Sequence, residues 1–598
     1  MATNPLVSDR DVQFLLEEVL DLGRLLRLPA FADHNQETIE LYLGSCRRLA
    51  REVLFPAYKP MDEEPSYLEE DGAVRAHPLM HVLYPSLVGL GLISATRPAE
   101  VGGQALPQTI GLLASVYLMA ANLSATGYLG LTAGAARLIE SFGSDTLKER
   151  FLPKMYGGEW TGTMALTEPQ AGSSLTDVKT RATPVDGYYL IEGSKVFISG
   201  GDHDLVPNIV HLTLARIDGA PLGIKGVSLF AIPKRREEGP RLVDNDVVTA
   251  GVFKKVGWRG IPSVALNFGE RGDCRGWLVG EPHQGIKCMF QMMNEARLMV
   301  GANAVATASV AYHQSVAYAM ERPQGRPFTS KDPAAPQVPI IEHADVRRML
   351  LRQKAIVEGG LGLLAQTAYF SDVAEHELDA ETRKRARLLL DLLTPIAKSF
   401  PAEAGQESNS LSVQIHGGYG YTSEFYPEAW WRDQRLNAIH EGTTGIQGFD
   451  LLGRKVVADE GAAFLFLNEE IGRAMAAARS AGVDPTWGDA VAKALEEIGR
   501  LTLHLGGLGL SGQVESMMAH SADYLSAMSL LVVSWIWLQQ ATAAQKGLKD
   551  RPEHADFYRG KLQAAQYWLR TELPKVSHLV RLAEEVEGSY LQMRPEWF

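Results

Sequence analysis

Cysteine is almost absent from the sequence. The chain has three cysteines in 598 residues, Cys46, Cys274 and Cys288, and no two of them form a C-x-x-C pair. This spacing excludes a disulfide framework and a zinc knuckle. Three thiols in so long a chain suit a reducing compartment. We therefore expect a cytoplasmic protein, and we expect no metal site.

Basic residues are in deficit. Lysine and arginine together number 58 against 71 aspartates and glutamates, which gives a net charge of −13. A nucleic-acid-binding face normally appears as a basic excess, so nucleic acid is excluded as a main partner. An acidic average still allows a local basic pocket for a ligand that carries a nucleotide.

Long hydrophobic runs are also scarce. The N-terminal stretch MATNPLVSDRDVQFLLEEVL contains four acidic residues and lacks a basic region followed by an apolar core. It therefore resembles neither a secretory signal nor an arginine-rich transit peptide. The most apolar late run, Leu525–Leu538, is shorter than the roughly 20 residues that span a bilayer. We expect a buried helix there and no transmembrane segment.

The sequence does contain an alternation of helical and strand periods, which predicts an α+β multidomain fold. Residues 1–161 show helical spacing and predict an N-terminal helical domain with a helical extension. Residues 162–285 predict an antiparallel β-barrel or sandwich. Residues 286–455 predict a four-helix bundle, and residues 456–598 predict an additional helical domain. The clearest strand candidates are Ile209–Ala215, Gly226–Ile232, Thr249–Val256 and Ser263–Phe268.

A carboxylate on a predicted loop is the first candidate for chemistry. The loop His440–Gln447 reads HEGTTGIQ and precedes an apolar run at helical spacing. Thr443 or Thr444 is placed to cap the helix that follows, and Gly442 allows an unusual φ. Glu441 is therefore a candidate general base. The ordinary alternative is a helix-start carboxylate favoured by the helix dipole, which is a common pattern.

Three other stretches carry recognisable motifs: Thr163–Ser173 (TMALTEPQAGS), Lys195–Ser199 (KVFIS) and Gln414–Gly420 (QIHGGYG). Alone, each has a local alternative: a capped turn, a strand with an inward phenylalanine, or a helix C-cap. Together with the Glu-Gly-Thr loop, in this order, they resemble the acyl-CoA dehydrogenase family. The added C-terminal helices resemble its longer subgroup, whose members act on straight-chain fatty acyl-CoA or on methylthiopropionyl-CoA.

The resemblance implies FAD as the cofactor and Glu441 as the catalytic base. It implies flavin contacts from Met164, Leu166, Thr167, Gly172, Ser173, Phe197, Ser199, Arg322, Gln414, Gly417, Gly418, Thr443 and Gly445. It implies substrate contacts from Ser173, Arg297, Glu441 and Gly442. Family members often carry an aromatic residue at the position of Met164, and the sequence after Arg322 also departs from the family pattern.

The resemblance also implies the reaction. Glu441 would take the α-proton of a fatty acyl-CoA while a β-hydride passes to the flavin, which gives a trans-2-enoyl-CoA in the first step of β-oxidation. Burial of Glu441 against apolar neighbours would raise its pKa. The backbone N–H of Glu441 and a flavin ribityl hydroxyl would stabilise the thioester oxygen. Electron-transfer flavoprotein would accept the electrons, and we expect a homodimer with FAD at the subunit interface.

Several alternatives stay open at this point. The same chemistry on 3-methylmercaptopropionyl-CoA, a flavin-dependent oxidase or monooxygenase, and a non-catalytic acyl-CoA-binding assembly protein are other functions for such a chain. Glu295 is a competing base. Two short patterns are rejected. Residues 507–512 match G-x-G-x-x-G without a preceding strand, and the adjacent residues Asp202, His203 and Asp204 cannot converge on one metal ion.

Overall fold

A computed structural model describes residues 4–330 and 332–598, without the side chains at positions 291 and 292. The first helices are α1 (Asp9–Phe14), α2 (Leu22–Leu26), α3 (Gln36–Leu49), α4 (Phe55–Glu63), α5 (Met80–Gly89), α6 (Gln108–Phe142) and α7 (Asp145–Tyr156). The strands are β1 (Tyr67–Leu68), β2 (Val74–Arg75), β3 (Thr161–Ala165), β4 (Arg181–Val185), β5 (Tyr188–Ser199), β6 (Ile209–Ile217), β7 (Val227–Pro233), β8 (Arg235–Glu238), β9 (Arg241–Asp244), β10 (Val247–Val252), β11 (Ser263–Phe268) and β12 (Arg275–Val279).

Helices return after the last strand. They are α8 (Gly285–Glu321), α9 (Ala344–His376), α10 (Ala380–His416), α11 (Pro427–Arg435), α12 (Thr444–Asp450), α13 (Ala462–Ala481), α14 (Pro485–Leu510), α15 (Val514–Ala519), α16 (Ser521–Asp550), α17 (Ala555–Tyr567), α18 (Lys575–Glu584) and α19 (Ser589–Gln592). Short 3-10 and π-helical turns join several of them.

The chain divides into two compact units. The first unit is His34–Ala296, and the second joins residues 4–33 to Arg297–Phe598. Residues 4–33 thus group with the later helices and not with the rest of the predicted segment 1–161. The domain boundaries proposed from the sequence remain predictions.

Helix α6 organises the helical part of the first unit and shows how a polar residue redirects a helix. Asn122 interrupts its helical backbone with φ −159° and ψ 91°. The side-chain oxygen of this buried asparagine accepts a hydrogen bond from the backbone N–H of Ala125 at 3.0 Å. Asn122 therefore acts as an N-cap for the second half of the helix, which lets one apolar run turn without leaving donors unpaired.

The β part of the first unit is an eight-stranded sheet with the order β10-β11-β5-β12-β7-β6-β3, in which β4 pairs with both β5 and β6. Most pairs are antiparallel, as predicted, but β3 and β4 each run parallel to β6. The alternation of apolar residues along each strand explains which face of the sheet is buried. On β11, Val264, Leu266 and Phe268 are all buried and belong to the core of the sheet. Side chains two apart on a strand share a face.

The second unit is helical and is built on the long helices α9 and α10. Both bury apolar residues over most of their length, including Leu363 and Leu364 on α9 and Leu389, Leu392 and Leu393 on α10. This pattern, apolar on more than one face, is typical of helices that have neighbours on several sides.

The C-terminal helices pack on this bundle. The indole Nε1 of Trp537 on α16 donates to the carbonyl of Ala355 on α9 at 3.2 Å, and Trp568 contacts Phe400 of α10 edge-on at 5.6 Å. The N-terminal segment joins the same body, because Phe14 packs against Phe557 with ring centroids 5.4 Å apart. The early helices therefore complete the C-terminal core.

Two helices, α6 and α16, are long and apolar enough to cross a membrane by length and composition alone. The most apolar windows of these helices are 83% and 78% buried inside the protein, which is what core helices of a folded domain show. The run Leu525–Leu538 lies within α16 and is buried, as predicted, although the helix extends well beyond it.

Candidate active site

The first unit brings two of the sequence motifs together at the ends of β3 and β5. The backbone N–H of Val196 donates to the carbonyl of Thr167 at 2.9 Å. The Lys195 ammonium donates to the carbonyl of Leu166 at 3.1 Å. Stretches that lie about thirty residues apart in the sequence thus form one edge of the sheet, as the strand pairing dictates.

A buried ion pair fastens this edge. Lys195 and Glu168 are both buried, and their charged atoms lie 2.8 Å apart. Glu168 also accepts hydrogen bonds from the backbone N–H groups of Lys179 and Thr180 and from the Thr180 hydroxyl. Burial alone would raise the pKa of Glu168, but these partners lower it to about 2. Burial lowers the pKa of Lys195 to about 8, against the opposing charge of Glu168.

An aromatic surface remains open beside this pair. Phe197 has a left-handed backbone with φ 60°, its side chain is 62% exposed, and its ring lies 4.6 Å from that of Phe253. Met164 on β3 and Leu166, the first residue after this strand, are partly exposed, while Thr163 and Ala165 are buried. An exposed aromatic ring of this kind fits a flat ligand, because stacking would cover it.

The adjoining turn fits the rest of a flavin. Gly172 and Ser173 are exposed, and a Cβ added to Gly172 would meet no atom within 4 Å, so another group has room to approach. Ser199 ends β5, partly exposed and paired with Ser263 of β11. Hydroxyl and backbone donors around an open aromatic surface match the donor set that FAD requires.

The second unit contains the candidate base on a tightly specified loop. Glu441 and Gly442 both have left-handed backbones, with φ 54° and 89°. The Gln447 side chain donates to the carbonyls of Glu441 at 3.0 Å and Gly442 at 3.4 Å. The Lys398 ammonium on α10 donates to the Gly442 carbonyl at 2.7 Å. A non-glycine residue with positive φ persists only where its surroundings hold it, and this one is held at two carbonyls.

Burial raises the pKa of the Glu441 carboxyl above its ordinary value, while the positive charges of Lys398 and Arg297 oppose that rise. The loop ends as predicted, because Thr443 caps α12 by accepting a hydrogen bond from the N–H of Ile446 at 3.4 Å. A half-buried carboxylate whose proton affinity is raised is suited to act as a general base.

Arg297, predicted to contact the substrate, is buried and forms an ion pair with Asp450 of α12. Burial alone would raise the pKa of Asp450, but Arg297 and Arg454 bring it below its usual value. The competing base, Glu295, belongs to the first unit and forms an ion pair with Arg137 at 2.9 Å. The carboxylate of Glu295 is therefore already engaged by a cation of its own unit.

The remaining predicted flavin contacts form a separate cluster in the second unit. The Arg322 guanidinium lies 5.6 Å from the centre of the Tyr419 ring, which belongs to the turn after α10. Gln414, Gly417 and Gly418 are exposed in the same region. Gly417 has φ 61° and is the C-cap of α10. The helix C-cap considered as the ordinary alternative and the Gln414–Gly420 motif are therefore the same turn.

The two patterns rejected from the sequence are the G-x-G-x-x-G match at residues 507–512 and the run Asp202, His203 and Asp204. Residues 507–512 lie at the C-terminal end of α14 and in the turn that follows. Asp202 pairs with Lys234 and Thr249, His203 with the hydroxyl of Thr161, and Asp204 with the backbone N–H of Ala76. The three side chains thus point to three different partners. Across the described residues, no group of three metal-ligating side chains was found.

Comparisons with known proteins decide the family. Models of the N-terminal, middle and C-terminal domains of acyl-CoA dehydrogenases match residues 36–159, 163–270 and 283–455, and an "Acetyl-CoA dehydrogenase C-terminal like" model matches 467–594. The chain is 34% identical over 618 aligned positions to a butyryl-CoA dehydrogenase of Syntrophomonas wolfei, covering 100% of this chain and 99% of the relative. The chain belongs to the acyl-CoA dehydrogenase family.

Two further similarities refine the picture. A 3-methylmercaptopropionyl-CoA dehydrogenase of Ruegeria pomeroyi is 40% identical over 455 residues, with 76% of each chain covered. The crystal structure of an acyl-CoA dehydrogenase from Bacillus anthracis, complexed with FAD, is 21% identical and covers 98% of this chain and 94% of its own, with a TM-score of 0.73. Acyl-CoA dehydrogenase membership confirms the predicted fold class, the enzyme class and FAD as the cofactor.

Sequence reasoning missed the residues that hold these motifs in place. Glu168, Lys195 and Gln447 were inside the quoted motifs but received no role. Lys398 was missed entirely, although a single lysine in the apolar run of α10 is a signal, since lysine is rarely fully buried without a partner.

Proposed function

We propose that this acyl-CoA dehydrogenase oxidises a short, unbranched acyl-CoA to the trans-2-enoyl-CoA, with Glu441 as the base. The observation that carries the proposal is the Glu441 loop, in which a carboxyl of raised pKa has a left-handed backbone held by Gln447 and Lys398. Such a loop has a cost in backbone strain, and strain of this kind concentrates at functional sites.

The chemistry follows from the loop. The carboxylate of Glu441 takes the α-proton of the thioester, and the Glu441 backbone N–H is the proposed donor that would stabilise the thioester oxygen as negative charge develops there. Bound FAD supplies the acceptor for the hydride that leaves the β-carbon. The electron pair of the broken α-C–H bond becomes the new double bond, and the proton stays on Glu441 until it passes to solvent.

The flavin is assigned to the residues predicted for it. The residues proposed to contact it are Met164, Leu166, Thr167, Gly172, Ser173, Phe197, Ser199, Arg322, Gln414, Gly417, Gly418, Thr443 and Gly445. Ser173, Arg297 and Gly442 are the proposed substrate contacts besides Glu441. The open aromatic surface at Phe197 and the exposed turn at Gly417 support these assignments.

The substrate class is inferred from the relatives. The S. wolfei and R. pomeroyi enzymes are named for butyryl-CoA and 3-methylmercaptopropionyl-CoA, and both acyl groups are short and unbranched. We assign the protein to the first step of fatty acid β-oxidation, with electron-transfer flavoprotein as the electron acceptor. The same chemistry on 3-methylmercaptopropionyl-CoA is the second candidate, favoured by the 40% identity.

One experiment tests the function and the substrate together. The purified protein is expected to show flavin absorbance, which an acyl-CoA bleaches in the absence of oxygen. The panel is butyryl-CoA, 3-methylmercaptopropionyl-CoA, palmitoyl-CoA and isobutyryl-CoA. Fastest bleaching by one of the first two supports the proposal and selects between them. Fastest bleaching by palmitoyl-CoA or isobutyryl-CoA contradicts the substrate class, and flavin that no acyl-CoA bleaches contradicts the reaction.

A further inference from the structure

Lys398 is a buried cation without an obvious structural reason. It lies on α10 between Ala397 and Ser399, both buried, and its own side chain is 0% exposed. Its ammonium donates to the carbonyl of Gly442 at 2.7 Å. An ammonium is costly to bury, and an apolar side chain would fill the same helix position without that cost. A role beyond packing is therefore indicated.

The surroundings of Lys398 point to the base loop. The titratable groups that act on it are Arg297 from α8, Glu403 from α10 itself, and His440 and Glu441 from the loop before α12. Arg297 already has Asp450 as its ion-pair partner, and Glu403 accepts a hydrogen bond from Thr444. Arg297 is thus already neutralised by Asp450, whereas Lys398 forms no ion pair with any residue in the described part of the chain, so its charge is the one left to act on Glu441.

Lys398 also acts on the loop geometry. Gly442 follows Glu441 directly, and both residues are in the left-handed region. The Gly442 carbonyl belongs to the peptide that joins Gly442 to Thr443, so the Lys398 contact fixes the plane of the peptide that follows Gly442. Gln447 fixes the Glu441 carbonyl, so the two contacts together restrain the backbone from which the Glu441 side chain extends. Gln447 also provides a second donor to the Gly442 carbonyl at 3.4 Å, so loss of Lys398 would loosen the loop without leaving that carbonyl unpaired.

We propose that Lys398 is a positioning residue for the dehydrogenation, which orients Glu441 through the Gly442 carbonyl and keeps its carboxylate ionised by facing it with a positive charge. This rests on the proposed function, in which Glu441 is the base. Removing the charge lets burial act on Glu441 unopposed by Lys398, so the pKa of Glu441 rises further.

The test compares full-length flavoprotein carrying Lys398→Met, Lys398→Arg or Lys398→Gln with the wild type. Methionine fills the buried site without a charge, arginine keeps the charge, and glutamine keeps a donor alone. The first readout is the pH dependence of anaerobic flavin reduction by butyryl-CoA. The second is an infrared pH titration, in which the protonated carboxyl band of Glu441 is assigned by its absence in Glu441→Gln.

In Lys398→Met we expect reduction at neutral pH to slow by about a hundredfold, the scale of a misplaced reacting group. The acidic limb of the profile and the midpoint of the infrared band should both move to higher pH. In Lys398→Arg both should stay near the wild-type position, and in Lys398→Gln they should move as in Lys398→Met. A role in packing alone would leave the infrared midpoint unchanged.

The outcomes separate this proposal from the proposed function. If Glu441→Gln abolishes reduction while Lys398→Met and Lys398→Gln keep the wild-type rate and infrared midpoint, the role of Lys398 is wrong and that of Glu441 stands. If Glu441→Gln reduces its flavin normally, the base assignment is wrong and the role of Lys398 is overturned with it. If Lys398→Met does not fold, the midpoints in Lys398→Gln and Lys398→Arg decide.

Discussion

At the scale of single residues, Glu441 carries the sharpest prediction. Glu441→Gln should retain FAD and lose acyl-CoA-dependent flavin reduction by at least about a thousandfold, as expected when an essential base is removed. Because burial raises the pKa of Glu441 above the ordinary 4.5, wild-type reduction should fall on its acidic limb at a pH above that value. Stopped-flow reduction by butyryl-CoA measures both the rate and the limb.

The matched control is Glu295→Gln. Glu295 is the competing base, but its carboxylate is paired with Arg137. The control variant should therefore reduce its flavin within a few-fold of the wild-type rate. The opposite pattern, with Glu295→Gln inactive and Glu441→Gln active, would transfer the role of base to Glu295.

A second residue-scale prediction concerns the buried pair of Lys195 and Glu168, which fastens the edge of the sheet that we propose to contact the flavin. Lys195→Met leaves Glu168 buried without its cation, and breaking a buried pair on one side costs about 3–5 kcal/mol. Amides of β3 and β5 should lose protection in hydrogen exchange by that amount, and FAD should dissociate more readily. The matched control is Arg500→Met, which breaks the exposed pair with Glu584 and should leave the protection of these amides close to that of the wild type.

The same pair predicts a dependence on pH. The folded pKa of Glu168 is about 2, below its ordinary 4.5, so its contribution to stability is complete above pH 4.5 and is lost as the pH falls toward 2. The stability of the wild type, measured by circular dichroism during acid unfolding, should therefore fall more steeply with pH between pH 4.5 and pH 2 than above it. Glu168→Gln should lack that component, and an unchanged acid profile in this variant would contradict the assignment.

Single residues also show which contacts can be predicted from the sequence and which cannot. Thr443 was predicted as one of two possible caps and is the cap, since capping depends on residue type and local spacing. Lys398 of α10 donates to the Gly442 carbonyl of the loop, and Asp450 of α12 forms an ion pair with Arg297 of α8, and these contacts arise only when distant segments pack. No local pattern encodes such contacts. The roles assigned to flavin and substrate contacts remain predictions.

At the scale of elements, the added C-terminal helices should stabilise the bundle. Trp537 of α16 is fully buried and packs where a Cβ on Gly359 of α9 would come within 2.8 Å of its indole nitrogen. Trp537→Ala should cost about 3–5 kcal/mol by leaving a cavity between α16 and α9. Trp597→Ala, at a position 57% exposed, should change the stability by no more than about 0.5 kcal/mol.

Denaturant unfolding followed by circular dichroism compares these two tryptophan variants. Equal midpoints for both variants would show that α16 contributes little to the stability of the bundle.

At the scale of elements, the sequence also predicted the most features correctly. Ser263–Phe268 was predicted with the observed bounds, because its alternation is regular. The parallel pairing of β3 and β4 with β6 was missed, because strand order depends on non-local pairing that no alternation reveals.

At the scale of the whole molecule, we predict a homodimer with one FAD for each subunit. The C-terminal helices cover faces of α9 and α10 within the chain, through contacts such as Trp537 to Ala355 and Trp568 to Phe400. We therefore expect that this covered face is unavailable for a second contact between subunits. In the cluster at Arg322, Gln414 and Tyr419 the arginine is partly exposed and the other two residues are exposed, and we predict that this surface contacts the partner subunit.

Analytical ultracentrifugation at micromolar concentration should therefore give a dimer, and the flavin content should be one per chain. Arg322→Glu should weaken the dimer and lower the flavin content, because this partly exposed arginine is proposed to face the partner's FAD and a reversed charge would repel its pyrophosphate. The matched control is Arg559→Glu, which changes an exposed arginine on α17 far along the chain from this cluster and should leave the dimer and the flavin content unchanged.

Truncation after residue 455 removes the helices that cover α9 and α10, so it should give insoluble protein or a tetramer. A full-length tetramer would show that the C-terminal helices do not replace the second contact, and a monomer with full FAD would remove the shared flavin site altogether.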